Sequence, residues 1–188
     1  MSESENNHEV VKAISILEAE PDDAPGIAEV QRITWLDTYP NDEHGITKND
    51  IEERVSQWQT DESINRLRNS IARSEDGTLR LVARDGKKVV GYCLVMKKEP
   101  HNKLQVLYVL PDYQGLGVGK KLAKQGIEWL GTERDVALEV VSYNTDSIEF
   151  YKRLGFEITG DAHNEVAELP SGKVMPEFQM IKHIAGQV

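Results

Sequence analysis

Apolar positions at steps of three, four and seven residues run through Ile51, Val55, Trp58, Ile64, Leu67 and Ile71, the spacing of one helical face. Thr47 with Asp50 three residues later resembles a capping box, so the spacing predicts one long amphipathic helix from Thr47 to Ile71. Before it, Ala13 to Leu17 reads as a short strand. Asp22 and Asp23 are placed to cap a helix carrying Ile27, Val30 and Thr34 on one face, with Pro25 in its first turn and Trp35, Tyr39 and Pro40 closing it.

From Thr78 the period changes to that of strands. Leu79 to Arg84, a tight Asp85-Gly86 turn, Lys88 to Lys97 and then Leu104 to Leu110 predict a three-stranded antiparallel meander. Val118, Leu122, Gly126, Ile127 and Leu130 mark a further helix, followed by an apolar strand from Val136 to Val141. Asn144 or Thr145 can cap a last helix holding Ile148, Tyr151 and Leu154, with Gly155 as its left-handed terminator and Phe156 folding back onto it. Strands near Phe156 to Thr159 and Glu177 to Ile181 complete the pattern. Residues 1–12 lack periodicity and read as a flexible tail, leaving 13–188 as a single domain.

Composition narrows the classes of function. The longest apolar run, Val89 to Met96, is broken by Gly91 and Tyr92 and is too short to span a bilayer, so no membrane role is expected. The acidic, polar stretch Met1 to Glu9 resembles neither a secretory signal nor a transit sequence, which makes the cytoplasm the expected location. A net charge of -10 argues against a nucleic-acid partner, which needs clustered Lys and Arg, and would steer a cationic substrate well. The single cysteine, Cys93, excludes an internal disulfide and reads either as a small buried hydrophobe or as a nucleophile. His8, His44, His101, His163 and His183 are scattered without ligand spacing, so no metal site is expected.

The chemistry concentrates in Val109-Leu110-Pro111-Asp112-Tyr113-Gln114-Gly115-Leu116-Gly117-Val118-Gly119-Lys120, a strand ending in a glycine-rich turn that opens a helix. Glycines let the backbone approach an oxyanion closely, and the free amides and dipole of a helix's first turn favour a pyrophosphate. Lys120 and Lys121 add positive charge. A phosphate-binding P-loop is excluded, because Lys121 stands where Ser or Thr is required and Gln114 where a further Gly is required. The dinucleotide fingerprint is excluded as well, since its third glycine falls one residue early, at Gly119.

Gln114, Gly117 and Gly119 instead resemble the acetyl-CoA motif of the GNAT superfamily of N-acetyltransferases, Gln or Arg, two residues, Gly, one residue, Gly or Ala, with a fitting Val-x-Pro-x-Tyr lead-in. A second block in the right order is similar to the same family: Leu138-Glu139-Val140, Asn144, and Phe150-Tyr151-Lys152-Arg153-Leu154-Gly155-Phe156. The resemblance implies an α/β GNAT fold, a mostly antiparallel mixed sheet of about seven strands splayed at the fourth and fifth, flanked by about four helices. It also implies acetyl-CoA as co-substrate. Its pantetheine arm would bond the backbone at Leu107, Tyr108 and Val109, where a bulge splays the strands, and its pyrophosphate would rest on Gln114, Gly115, Leu116, Gly117, Val118, Gly119 and Lys120. Asn144 and Ser147 match positions that contact the pantetheine or adenosine part, although a plain helix cap explains Asn144 equally well.

Tyr151 matches the family's general acid, whose phenol protonates the departing thiolate, and it also has core periodicity. Glu139 matches the base of bacterial ribosomal-protein N-terminal acetyltransferases. On a regular strand it points away from the face of Leu138 and Val140, so a carboxylate on a solvated face, with ordered water as the base, is the alternative. Lys103 and Gln105 occupy places where other relatives carry the base, and neither suits that work. Trp35, Tyr39, Glu43 and His44 fall in the family's acceptor-binding loop, as does the segment His163 to Met175. The expected activity is direct transfer of acetyl to a primary amine without an acyl-enzyme, a small amine or polyamine ahead of a protein N-terminus or lysine. A non-catalytic CoA-binding sensor is the rival from another class. Homodimerisation is common in the family, and no sequence feature fixes it.

Overall fold

Strand β1 (Ile14–Glu18) leads through a 3-10 turn at Pro21–Asp23 into α1 (Ala24–Thr38). The structure, a computed structural model, describes residues 14–161 and 167–184; the expected N-terminal tail, Ala13 and His163 lie outside them. Asp23 does not cap α1 with its side chain. Its carboxylate accepts from the backbone amide of Glu20 at 2.8 Å and pairs with Arg84 at 2.7 Å, which fastens the turn to the sheet.

The long helix expected from Thr47 to Ile71 is two helices, α2 (Lys48–Ser56) and α3 (Asp61–Arg73). Thr60 starts α3 by accepting from the amide of Ser63 at 3.2 Å, an N-cap signal that the continuous apolar spacing conceals. Spacing persists across the break because both helices face α1. Trp58, in the break, swings onto Trp35 with ring centroids 4.8 Å apart and planes at 90°.

The meander follows as read, with β2 (Thr78–Asp85), β3 (Lys88–Met96) and β4 (Asn102–Val109), all antiparallel. Then come α4 (Val118–Leu130), β5 (Val136–Val141), α5 (Thr145–Arg153), β6 (Glu157–Asp161), a small hairpin of β7 (Ala167–Glu168) and β8 (Val174–Met175), and β9 (Glu177–Lys182). The main sheet has the order β1-β2-β3-β4-β5-β9-β6. A hairpin in the late loop was not foreseen, and its two-residue strands are too short to leave an alternating pattern.

Two apolar clusters hold the molecule. The larger lies between the sheet and α1, α3 and α4, and includes Ile27, Leu81, Val90, Cys93, Leu122, Leu138, Phe156 and Met180. Close helix–sheet contact is set by Gly126, where an added Cβ would stand 2.9 Å from Val95 Cγ1. The smaller cluster gathers Trp35, Ile46, Ile51, Val55, Val141, Leu169 and Met175 and so joins α1, α2, the end of β5 and the late loop. Among the described residues no helix is long and apolar enough to cross a membrane.

Candidate active site

The feature that makes a site is a failure of strand pairing. β4 and β5 run parallel and pair only at Asn102↔Val136 and Lys103↔Ala137, after which they diverge. The divergence begins where β4 bulges: Leu94 faces Val106 but Val95 faces Leu104, so Gln105 is the extra residue. Beyond it the β4 edge toward β5 has no strand partner, and buried backbone donors and acceptors require one.

A cleft of about 1170 Å³ occupies this opening. At one end lies the glycine turn. Gly115 and Gly117 have φ of +73° and +80°, a conformation that costs residues with a Cβ, and Gly117 is the N-cap of α4. Nothing lies within 4 Å of where a Cβ would stand on either, so the backbone is bare to a ligand. Gln114 Nε2 donates to the carbonyl of Val109 at 3.0 Å and ties the turn to the end of β4. The amides of the first turn of α4 have no intrahelical acceptor. Leu107, Tyr108, Val109, Gln114, Gly115, Gly117, Gly119, Lys120, Asn144 and Ser147 line the cleft, whereas the Leu116 side chain is 60% exposed outside it and Val118 is packed in the larger core. Asn144 caps α5, its Oδ1 accepting from the amide of Ser147 at 3.2 Å, and still faces the cleft, so both readings of it hold geometrically. Arg153, to which the motif assigns no role, also lines the cleft and adds a second cation.

These features suit a coenzyme A molecule: an amide-lined, glycine-bared turn with Lys120 and Arg153 for its phosphates, and an unpaired strand edge for its pantetheine amides.

Tyr151, near the middle of the cleft, packs edge-on against Phe150 and Phe156, at 5.3 and 5.9 Å between centroids. Burial, with Tyr108 and Cys93 nearby, pushes its phenol pKa up, so the hydroxyl keeps its proton at neutral pH. Cys93 is fully buried, and burial pushes its thiol up to about 12, which leaves it a core residue.

Glu139 is not on a solvated face. Ala137 and Val141, which share its side of β5, are buried, and Glu139 lines the cleft at the crotch of the splay, where Lys103 Nζ pairs with its Oε1 at 2.8 Å. Glu139 does point away from the face of Leu138 and Val140, but Val141 on its own face is buried in the smaller core. A second carboxyl, Glu177 at the start of β9 opposite Val141, also lines the cleft. Burial first, then the charge of Glu139, raises its pKa to about 7, with Lys103 opposing. No local sequence signal marks Glu177, because its surroundings come from β9 inserting beside β5.

The far end of the cleft is aromatic. Trp35 Nε1 donates to Tyr108 Oη at 2.8 Å, and the Trp35 ring meets Tyr39 edge-on at 4.7 Å. Tyr143 donates to the Tyr39 carbonyl at 2.8 Å, and His44 stacks on Tyr143 at 4.7 Å. Lys173 Nζ reaches the carbonyl of Gly45 at 2.7 Å and the carboxylate of Asp50 at 2.8 Å, joining the late loop to the α1–α2 loop. The α1–α2 loop and residues 167–175 of the late loop thus form one wall, and Trp35 and Tyr39 line the cleft beside it.

A peptidyl-lysine N-acetyltransferase of Salmonella typhimurium, YjaB, is 29% identical to this chain over 106 residues, 56% of this chain and 66% of that protein. A 5-NmdU N-acetyltransferase of Pseudomonas phage PaMx11 is 30% identical over 110 residues, 58% of this chain and 78% of that protein. An uncharacterized N-acetyltransferase of Methanocaldococcus jannaschii, MJ1207, is matched over only 28% of its length, so the chain spans under two thirds of two of these relatives. In fold, the PaiA N-acetyltransferase of Thermoplasma acidophilum, solved in complex with coenzyme A, superposes with a TM-score of 0.72 at 22% identity, over 91% of this chain and 99% of that one. The model of the acetyltransferase (GNAT) family matches residues 28–156, more than half of the chain and both motif blocks, and the protein therefore belongs to that family.

Proposed function

We propose that the protein transfers an acetyl group from acetyl-CoA directly to a small primary amine. The observation that carries this reading is one continuous cleft joining the glycine turn, the opened β4 edge, Tyr151 and the carboxyls Glu139 and Glu177. Acetyl-CoA supplies an activated thioester carbonyl. The chain's own residues hold it, deliver protons and receive the amine.

The amine must lose a proton before it attacks, which at pH 7 costs about 4.6 kcal/mol for a lysine-like group and about 1.4 kcal/mol for an α-amine. Glu177, poised near 7, accepts that proton, while Glu139 is held by Lys103 and acts on Glu177 through its charge. As the carbon–nitrogen bond forms and the carbon–sulfur bond breaks, the Tyr151 hydroxyl gives its proton to the sulfur. Solvent then restores both groups. Cys93, buried away from the cleft with a raised pKa, has no part in the transfer.

A second reading is a lysine on a protein, favoured by the name of the relative from Salmonella typhimurium. The wall of loops at the acceptor end favours a small molecule over it. Thiol release from acetyl-CoA across a panel of amines, amino acids, polyamines and lysine peptides tests the proposal. We expect one class to accelerate release, and Tyr151→Phe to slow it about 10- to 100-fold without loss of acetyl-CoA binding. Binding of acetyl-CoA with no acceleration by any amine would instead support a sensor.

A further inference from the structure

Arg54 on α2 lines the acceptor end of the cleft, half-buried, and its guanidinium lies over the ring of Trp58 with Cζ 5.7 Å from the centroid. A guanidinium stacked on an indole keeps its in-plane N–H donors available, and those donors match a carboxylate in fork geometry. Arg32, Arg80, Arg84 and Arg134 each have a carboxylate partner. Among the described residues none is found within 4.0 Å of Arg54.

The neighbouring wall is short of acceptors as well. Thr34, 6% exposed and lining the same cleft from α1, has a hydroxyl with no hydrogen-bond partner, and Gln31 lies one turn earlier on that helix. A buried hydroxyl left without a partner is costly, so such a group in a binding wall points to what it meets when the site is filled. Arg54, Thr34 and Gln31 together offer one full positive charge and neutral donors at one end. Tyr151, Glu177 and the ring of Trp35 line the same cleft.

Resting on the acetyltransferase reading, we infer that the acceptor is a small aminocarboxylic acid, whose carboxylate is anchored by Arg54 and whose amine is presented toward Tyr151 and Glu177. A polyamine would bring a second positive charge toward Arg54, which its own desolvation in the cleft opposes. The acidity of the whole surface acts on encounter, whereas Arg54 acts on the docked molecule.

The test is thiol release with aminocarboxylic acids of increasing amine-to-carboxylate separation, each beside its neutral amide, together with a polyamine and a lysine peptide. Wild type, Arg54→Ala and Arg54→Lys are compared. We expect wild type to prefer one acid over its amide about 10- to 100-fold in kcat/KM, the scale of a charged hydrogen-bonded pair. In Arg54→Ala that preference collapses, chiefly through KM, and Arg54→Lys recovers part of it, having charge but no planar fork. A wild-type preference for the amide, the polyamine or the peptide overturns the inference and leaves the acetyltransferase reading standing, as does a preference that survives in Arg54→Ala. Absence of acceleration by any amine overturns both.

Discussion

In the proposed reaction Glu177 is two things at once, a carboxyl half-buried beside Glu139 and an acceptor of protons. Its folded pKa of about 7 lies above the ordinary carboxyl value, so the fold favours its protonated form. Stability from this group is present at acid pH and lost as pH rises through about 7, the range where catalysis needs it ionised. Glu177→Gln should therefore raise the thermal midpoint at pH 8 while lowering turnover about 100-fold or more, and it should remove the rise of kcat/KM through pH 7. Thermal melts and pH–rate profiles on the same preparations check both signs. A midpoint that falls at pH 8 would show the carboxylate to be a stabilising partner instead. The placement of Tyr151, Gln114, Gly117 and Gly119 in one cleft was legible in the sequence because it rests on short spacings within one turn and one helix. Glu177 was not, since its environment is made by residues about 40 and 70 positions away, Glu139 and Lys103. The placement of Glu139 needed knowledge of what covers the second face of β5, and alternation alone does not carry that.

At the scale of elements, the α2–α3 break shows how periodicity can hide an end. Thr60-Asp61-Glu62-Ser63 is a start signal in its own right, but Trp58 and Ile64 continue the apolar series because both helices press on the same neighbour. The meander, α4, β5 and α5 followed their patterns closely, down to Gly155 at φ +87° and the Phe156 amide returning to the Tyr151 carbonyl at 3.1 Å. Asp50 ties the acceptor wall together. Lys173 and Thr47 hold its carboxylate well below the usual range, so its contribution is present above the ordinary carboxylate pKa and fades as pH falls below it. We expect Asp50→Asn to raise KM for the amine severalfold with little change in KM for acetyl-CoA, and to lower the thermal midpoint at pH 7. That deficit should shrink toward pH 3, as melts across pH will register. On the other side of the sheet, Gly126→Val should cost about 1–3 kcal/mol in denaturant unfolding, because its Cβ would meet Val95 Cγ1 at 2.9 Å.

Across the whole molecule, the parts nearest the amino-acid pattern are those proposed to hold the coenzyme, and the parts furthest from it are those proposed to receive the amine. The acceptor wall is assembled from α1, α2, the end of β5 and the late hairpin, segments far apart in the chain that meet only in the smaller apolar cluster. The splay between β4 and β5 has a further consequence. A sheet with one seam paired at only two residue pairs is an incomplete fold, and a ligand that bonds the open edge completes it. Coenzyme concentration then enters the unfolding equilibrium. At about 100 times its dissociation constant the ligand adds about 2.7 kcal/mol, and hydrogen exchange at the amides from Leu104 to Val109 should slow on its addition. In a cell the fraction of chains open to proteases would rise as the supply of coenzyme A falls, so that starvation for the donor would deplete the protein as well as idle it.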